Sequence, residues 1–301
     1  MRVVIALGGN ALLKRGEPLD YDAQRRNVRQ ATRAIAEVAR DHSVVVTHGN
    51  GPQVGLLALQ AAAYTEVPPY PLDVLGAESE GMIGYLIEQE LMEALPGRSV
   101  ATLLTQVEVD PDDPAFRQPT KPIGPLYDDA AAERLGREKG WPMCRDGAGF
   151  RRAVASPRPL RILEIGTLRL LVEAGVLVVC AGGGGIPVRI DDAGSVHGVE
   201  AVIDKDRTAA LLAVALGADA LLLLTDVDAV YADWQGAKAR PIRNATPASL
   251  RTMTFDAGSM GPKVDAACGF VEASGRMAGI GALSDAATIL RGERGTIIRA
   301  V

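Results

Sequence analysis

Short apolar runs alternate with amphipathic stretches along most of this chain. Every residue from Val3 to Leu7 is apolar, a pattern typical of a strand buried on both faces of a parallel sheet. Residues 22–40 carry apolar side chains at helical spacing, and Ser43–Thr47 predicts a second strand. The chain therefore opens with a strand, a helix and a strand, the order of a parallel βαβ unit.

The same alternation returns in the rest of the sequence. Further helices are predicted near residues 53–64, 77–94, 164–174, 204–216, 248–251 and 264–274. Further strands are predicted over residues 100–107, 176–181, 220–225, 280–283 and 295–299. This repetition predicts an α/β fold with an open, mostly parallel sheet that carries helices on both faces. In such sheets, ligands bind at the carboxyl ends of the strands.

One segment, residues 110–159, interrupts the alternation. It has few long apolar runs and a single helical stretch near residues 128–138. It also contains the prolines Pro111, Pro114, Pro119, Pro122, Pro125, Pro142, Pro157 and Pro159. We expect this segment to leave the main sheet as a small protruding subdomain or lid. Because no linker or tandem repeat divides the remainder, residues 1–301 are interpreted as one domain with this lid inserted.

Composition and charge exclude several classes of protein. The 301 residues, 48% of them hydrophobic, suffice for one large core or two modest lobes. The apolar runs are far shorter than the roughly 20 residues of a membrane-spanning helix. The N-terminus also lacks the pattern of a secretion signal. The net charge of −5, with no long block of one sign, argues against nucleic acid as a partner.

The cysteines indicate the compartment. Cys144, Cys180 and Cys268 are odd in number and far apart in the sequence. This spacing predicts neither a disulfide framework nor a zinc site, and it fits a reducing environment. We therefore expect a cytoplasmic protein that crosses no membrane.

Three predicted strands end in glycine turns suited to an anion, and a fourth strand ends at an aspartate. Three turns contain glycine, at residues 8–10, 49–51 and 182–185, and the strand 220–225 runs into Asp226. Glycine lets backbone N–H groups approach an anion, and a following helix N-terminus adds a favourable dipole. For any single turn, tight strand-to-helix geometry is an equally good explanation, but the repetition favours a phosphate-rich ligand. Neither a Walker motif nor a dinucleotide fingerprint is present.

The lysines are few and unusually placed. Only six of the 32 basic residues are lysine, and three of these, Lys121, Lys205 and Lys263, lie beside Gly, Pro or Asp between loop and helix. Phosphoryl transfer needs positive charge around the moving group, which a compact ammonium supplies well. Asp204 and Asp206 flank Lys205. Two explanations remain open: the aspartates hold the lysines in place, or one of them serves only as a helix N-cap.

His48 precedes the second glycine turn, where a general base would be well placed. A carboxylate oxygen that accepts a phosphoryl group is already deprotonated at neutral pH and needs no such base. The position therefore favours a positioning or structural histidine.

Six motifs together resemble one known family. They are Val4–Ala11, His48–Gly55, Thr120–Pro125, Gly182–Pro187, Gly198–Asp206 and Gly258–Lys263. In this order they resemble the carbamate kinases, a branch of the amino acid kinase family, and the resemblance runs from residue 3 to about residue 299. Lys121 in its Pro/Gly setting is the most specific feature, because other branches of that family do not share it.

The resemblance implies a three-layer αβα fold, a homodimer, and reversible phosphoryl transfer between ATP and carbamate to give ADP and carbamoyl phosphate. It implies catalytic roles for Lys121, Lys205, Lys263 and Asp206. It implies that the small acid and the phosphoryl group are bound by Gly8, Gly9, Asn10, Gly49, Asn50 and Gly51. The implied nucleotide-binding residues are Asp226, Asp228, Tyr231, Met260, Gly261, Pro262 and Lys263. Mg²⁺ would accompany ATP or ADP, held mainly by phosphates and water and without a dedicated protein site.

The chain departs from the family in the lid, and three other functions remain open. Ala148 stands where these kinases commonly have Arg, and Phe150 where they commonly have Trp, which affects the packing of the lid. One alternative is another kinase of the same family that forms an acyl phosphate. A second is a nucleotide-binding regulator without turnover, and a dehydrogenase is the weakest option.

Overall fold

The computed structural model describes residues 1–14, 16–234, 239–256 and 258–300. The strands are β1 (Arg2–Leu7), β2 (Ser43–His48), β3 (Val100–Leu103), β4 (Gln106–Val109), β5 (Lys121–Tyr127), β6 (Met143–Asp146), β7 (Gly149–Val154), β8 (Pro159–Ile162), β9 (Leu177–Cys180), β10 (Ile186–Ile190), β11 (Val196–Gly198), β12 (Ala220–Thr225), β13 (Val230–Ala232), β14 (Arg240–Ile242), β15 (Asn244–Ala245), β16 (Met277–Ala282) and β17 (Thr296–Ile298). The α-helices are α1 (Gly9–Leu12), α2 (Tyr21–Ala39), α3 (Gly51–Ala61), α4 (Leu72–Ala94), α5 (Asp129–Lys139), α6 (Ile165–Glu173), α7 (Lys205–Ala215), α8 (Pro247–Arg251), α9 (Met260–Ser274) and α10 (Ala286–Leu290). Short 3-10 helices lie at Pro114–Phe116, Gly182–Gly184 and Leu283–Asp285.

An eight-stranded sheet forms the middle layer, in the order β15-β17-β16-β12-β1-β2-β9-β3. All neighbouring pairs are parallel except β16 and β17, which are antiparallel. Successive side chains of β1 point to opposite faces: Val4 and Ala6 pack with α6, α7 and α9, whereas Val3, Ile5 and Leu7 pack with α2, α4 and α10. The sequence prediction of a three-layer αβα fold is thereby confirmed.

The predicted third strand, residues 100–107, is wrong as a single element. The chain bends after Leu103, so that β3 is an edge strand of the main sheet, whereas β4 belongs to a second sheet of order β11-β10-β4-β8. The bend is fixed by Thr105, whose buried hydroxyl donates to Leu103 O at 2.8 Å and accepts from Ala181 N at 3.0 Å. Such local side-chain bonds divert the backbone from a sheet ladder.

Two helices begin earlier than predicted. Helix α4 begins at Leu72 rather than near residue 77, and α9 begins at Met260 rather than Val264. Pro262 lies in the first turn of α9, where a missing N–H interrupts no helical hydrogen bond. Strands β10, β11, β13 and β14 were not predicted at all, because they are short and lie between loop-like sequences.

Residues 121–154, within the predicted lid of residues 110–159, contain a separate antiparallel sheet of β5, β7 and β6 with α5 beside it, and they are called the small subdomain from here on. Strand β5 packs against α3, and the backbones approach closely because both contact residues are glycine. A Cβ atom on Gly55 would lie 2.0 Å from Gly124 Cα, which excludes any side chain at that position. Apolar side chains complete this joint: Val54, Ala58, Leu72, Leu75, Ile123, Val154 and Val202. No helix in the described part of the chain has the length and apolar composition to cross a membrane.

Candidate active site at the carboxyl edge of the main sheet

The first two glycine turns lie side by side because β1 and β2 are parallel neighbours, with Leu7 in register with His48. Gly49 N donates to Leu7 O at 3.1 Å, and a Cβ atom on Gly49 would lie 3.2 Å from Gly9 N. Helix α1 begins at Gly9 and α3 at Gly51, so two helix N-termini meet at this edge. Gly8 N donates to Leu224 O at 2.9 Å, which places the end of β12 beside them. Helix α1 also includes Asn10.

A third glycine turn, Gly182–Gly185, follows β9 and packs against the second. The side chain of Asn50 lies against Gly183, and its Nδ2 donates to Ser79 Oγ at 2.8 Å. Gly182 N donates to the Glu80 carboxylate at 2.8 Å. Burial raises the pKa of Glu80 to about 8, so this buried acid titrates near neutral pH. The three glycine turns are thus tied together by buried side chains behind them.

His48 belongs to this supporting layer. Its ring is fully buried against Gly182, and Nδ1 lies 3.1 Å from Gly49 O. Burial lowers the pKa of His48 to about 4, which keeps the imidazole neutral at physiological pH. A neutral, buried ring that contacts two turns has the geometry of a positioning residue.

Three lysines and two aspartates form an ion-pair network beside these turns. Lys205 Nζ and Lys263 Nζ share the carboxylate of Asp206, at 2.5 Å and 3.1 Å. Lys121 Nζ, which comes from the small subdomain, lies 2.5 Å from Asp204 Oδ2. The side chains of Lys205 and Lys263 are only 10% and 12% exposed, so these charges act in a poorly solvated space. Three cations against two anions leave a positive excess at the place where the helix N-termini converge.

Asp204 and Asp206 differ in role. Asp204 is the N-cap of α7, because its Oδ1 accepts from the N–H groups of Asp206 and Arg207. Burial alone would raise the pKa of both aspartates, but the neighbouring ammonium groups lower it in each. Both are therefore ionised at neutral pH. The sequence left open whether Asp204 holds a lysine or only caps the helix; in the fold it does both, and its lysine is Lys121.

The predicted nucleoside side divides into two groups. Met260, Gly261 and Pro262 occupy the first turn of α9 with Lys263, which joins them to the network through Asp206. Asp226 and Asp228 follow β12. Asp226 accepts from Thr225 Oγ1 at 3.1 Å. Asp228 accepts from Tyr231 Oη at 2.7 Å and from Arg243 Nη2 at 2.9 Å, so Asp228 and Tyr231 form a cluster of their own.

Glu80 is the functional candidate that the sequence analysis missed. Its one sequence signal is position: Glu80 lies three and seven residues before Ile83 and Ile87, on the buried face of α4. A charged residue on an apolar helix face needs a partner in the fold, and the N–H groups of Gly182 and Thr105 are those partners.

Lys205 gives the site a pH dependence. Burial lowers its pKa to about 8, against the attraction of Asp206. We expect kcat/KM to fall as the pH rises through about 8, because the neutral amine no longer attracts phosphate. Between pH 8 and 10.5 the unfolded chain binds one proton more at this residue, so the residue's contribution to stability rises with pH. Above pH 8, a loss of activity caused by Lys205 is therefore not accompanied by a loss of stability at this residue, and the two effects can be distinguished.

Initial rates and thermal unfolding, recorded from pH 6 to 10, check this expectation. Lys205→Arg is the comparison, because a guanidinium stays charged throughout and should move the descending limb upward. A wild-type kcat/KM that stays level to pH 9.5 would contradict it.

Comparison with known proteins identifies relatives over nearly the whole chain. Residues 1–280 match the sequence profile of the Amino acid kinase family. The carbamate kinase of Rhizobium meliloti is 55% identical over 301 residues, which cover 99% of this chain and 93% of that protein. The carbamate kinase of Giardia lamblia bound to citric acid superposes with a TM-score of 0.94 at 42% identity, covering 99% of this chain and 98% of that one. The same enzyme bound to AMP-PNP gives a TM-score of 0.89 at 42% identity with the same coverage.

Proposed function

Because the chain belongs to the amino acid kinase family, and to the carbamate kinases within it, we propose that it transfers a phosphoryl group reversibly between ATP and carbamate, giving ADP and carbamoyl phosphate. The observation that carries this proposal is that Lys121 from the small subdomain pairs with Asp204, while Lys205 and Lys263 pair with Asp206, two residues further along the chain. The structure of the Giardia lamblia carbamate kinase bound to AMP-PNP supports a nucleotide as one substrate.

The reaction is a direct displacement. An oxygen of carbamate attacks the γ-phosphorus, a new P–O bond forms, and the bond to the bridging oxygen of ADP breaks. Carbamate is anionic, so no general base is required, and catalysis comes from positioning and from charge stabilisation. Lys121 would neutralise the moving group from the carbamate side, and Lys205 and Lys263 from the ATP side.

The remaining predicted site residues divide between the two substrates. The turns with Gly8, Gly9, Asn10, Gly49, Asn50 and Gly51 would hold carbamate and the phosphoryl group. The anion would face the helix N-termini at Gly9 and Gly51, because Gly8 N and Gly49 N already donate to Leu224 O and Leu7 O. Asp226, Asp228, Tyr231 and Met260–Pro262 would line the nucleoside side. Asp206 would keep the lysines Lys205 and Lys263 in place. None of these assignments requires a covalent enzyme intermediate.

Magnesium is proposed to enter as part of the nucleotide substrate. The two carboxylates of the network, Asp204 and Asp206, already accept from lysines. Among the residues that the structure describes, no three His, Cys, Asp or Glu side chains group in a way that suits a metal ion. Mg²⁺ is commonly bound through substrate phosphates and water, which fits this donor set.

The test is the formation of ATP from ADP and carbamoyl phosphate with Mg²⁺, followed by a coupled luminescent assay. We expect turnover with carbamoyl phosphate. If the protein binds ADP but makes no ATP, the assignment to carbamate is wrong. Other carboxylic acids would then be screened with ATP, and formation of an acyl phosphate from any of them would support a different kinase of the family.

We propose that the protein is a homodimer, formed through α4. This helix carries an exposed apolar stripe, Val74, Met82, Tyr85 and Met92, and exposed Leu104 lies next to it. The stripe lies beside β3, the edge strand of the main sheet. A second copy would cover both the stripe and the unpaired edge.

Tyr85→Glu is expected to convert the dimer to a monomer of 31.6 kDa, because it places a charge at the centre of the stripe. Size-exclusion chromatography with light scattering measures the mass. Leu170→Glu is the control, since Leu170 is also exposed but lies on α6, on the other face of the sheet. A wild-type protein that is monomeric at micromolar concentration would refute the dimer.

A cytoplasmic location is proposed on the state of the thiols. Cys144, Cys180 and Cys268 are all free, and Cys180 and Cys268 are buried. Free, unpaired thiols are typical of reducing compartments. Burial also raises the pKa of Cys180 and Cys268, which makes them poor nucleophiles.

A further inference from the structure

Asp204 lies where the subdomain lysine meets the helix that carries Lys205. One oxygen of its carboxylate caps α7, accepting from Asp206 N at 3.0 Å and Arg207 N at 3.3 Å. The other oxygen accepts from Lys121 Nζ at 2.5 Å. One side chain therefore fixes the start of a helix and the end of a lysine that lies 83 residues earlier in the sequence.

We propose that Asp204 is a positioning residue for phosphoryl transfer, which holds the ammonium of Lys121 at the point where the two substrates meet. This inference rests on the proposed function and adds to it a residue that the resemblance does not supply. Asp204 is not proposed to touch the substrates; it acts through Lys121.

The first argument is that the side chain of Lys121 would be flexible without its ion pair with Asp204. A lysine side chain has a flexible four-carbon stem, and Lys121 remains 26% exposed. Within the described residues, Asp204 is its one ion-pair partner. Strand β5 fixes only the backbone of Lys121, in register with Val154. The direction of the ammonium therefore depends on Asp204.

The second argument is the division of charge within the network. Asp206 is occupied by Lys205 and Lys263, which leaves Asp204 for Lys121. The Asp204 side chain is only 12% exposed, and its charge is retained because the lysines lower its pKa. An ammonium has three donors, and Asp204 takes one. Lys121 can thus contact a phosphoryl oxygen without leaving Asp204.

The substitution Asp204→Asn separates capping from charge. Asparagine caps a helix as well as aspartate does, but it cannot form the ion pair. We expect kcat to fall by about 10- to 100-fold, less than for loss of a direct donor, while the KM for ADP changes by less than about threefold. When Lys121 is already replaced by alanine, adding Asp204→Asn should lower kcat by less than about twofold. The effects of two residues that act as a unit are not additive.

Asp128→Asn is the matched control. Asp128 caps α5 in the small subdomain by accepting from Ala131 N, and it forms no part of the ion-pair network. The variant therefore measures the effect of an Asp-to-Asn change at an N-cap alone. Its kcat should equal that of the wild type. The inference is overturned if Asp204→Asn keeps the wild-type kcat. It is also overturned if Asp204→Asn lowers kcat by the same factor in the Lys121→Ala background as in the wild type.

A second readout does not depend on activity. The chain has only six lysines, so ¹³Cε-lysine NMR gives a simple spectrum in which the Lys121 signal is the one lost in Lys121→Ala. In Asp204→Asn this signal should shift and narrow, and in Asp128→Asn it should stay. An unmoved signal in Asp204→Asn would refute the contact. If the wild type makes no ATP, the proposed function fails, but the spectrum still decides whether Asp204 holds Lys121.

Discussion

Lys121→Ala is expected to lower kcat for ATP formation by about 10³-fold, while the thermal unfolding midpoint changes little. A single cation aimed at a transferring phosphoryl group contributes about 10³ to 10⁵ in rate in related chemistry. The fold should tolerate the change because Lys121 is partly exposed at the start of β5, so its removal opens no cavity in the core. The positive charge of Lys205 also remains near Asp204, so this carboxylate keeps a counter-charge. Steady-state kinetics and differential scanning calorimetry on the same preparation measure both quantities.

Lys139→Ala is the control for this result. Lys139 belongs to the same subdomain, but it is exposed at the end of α5 and contacts the ring of Trp141, 5.6 Å from its centroid. Its loss should leave kcat within about twofold of the wild type. Lys121→Arg should not restore full activity, because the planar guanidinium cannot follow the moving group as a point charge does. A Lys121→Ala variant within tenfold of the wild type would contradict the role of Lys121.

Asp206→Asn is expected to cost stability as well as activity. The carboxylate of Asp206 is shared by buried Lys205 and largely buried Lys263, and its removal leaves both lysines without their ion-pair partner. Breaking a buried ion pair in this way typically costs about 3–5 kcal/mol. The loss should be largest near neutral pH. It should shrink as the pH rises through about 8, because Lys205 in the folded wild type then loses its charge and no longer forms the ion pair.

Urea unfolding from pH 6 to 10 measures this change. Asp265→Asn is the matched control, since Asp265 is an exposed acid on the same helix, α9, 3.9 Å from Arg251. Exposed pairs of this kind contribute little, about 0–1 kcal/mol. Equal unfolding midpoints for Asp206→Asn and Asp265→Asn would show that the shared carboxylate does not hold the network together.

Much of the fold was predictable because a buried parallel sheet has a plain signature in sequence. Strands such as Val3–Leu7 and Ala220–Thr225 are apolar throughout, and only a doubly covered sheet accommodates such runs. The split between β3 and β4 was not predictable. The chain is diverted at Thr105 by contacts with Glu80 and Ala181, residues that are distant in the sequence.

The site was partly predictable for a similar reason. The glycine turns and the three lysines lie beside recognisable local signals, so Gly49, Lys205 and Lys263 could be selected from sequence. The pairing of Lys121 with Asp204 and the support of Gly182 by Glu80 join segments far apart in the chain. No local pattern records such contacts, and only the folded structure brings them together.

The contact between Gly55 and Gly124 sets the distance between helix α3 and strand β5. Helix α3 and strand β5 are separated by two backbones and no side chain, and Lys121 is three residues from this contact on the same strand. A single methyl group at residue 55 would act as a wedge that lifts the strand and withdraws its lysine from the substrates. We therefore expect substitutions at Gly55 to lower activity as strongly as substitutions at a residue that binds substrate. A scan of substitutions is expected to identify Gly55 as a position that activity requires because of its packing and not because of a contact with substrate.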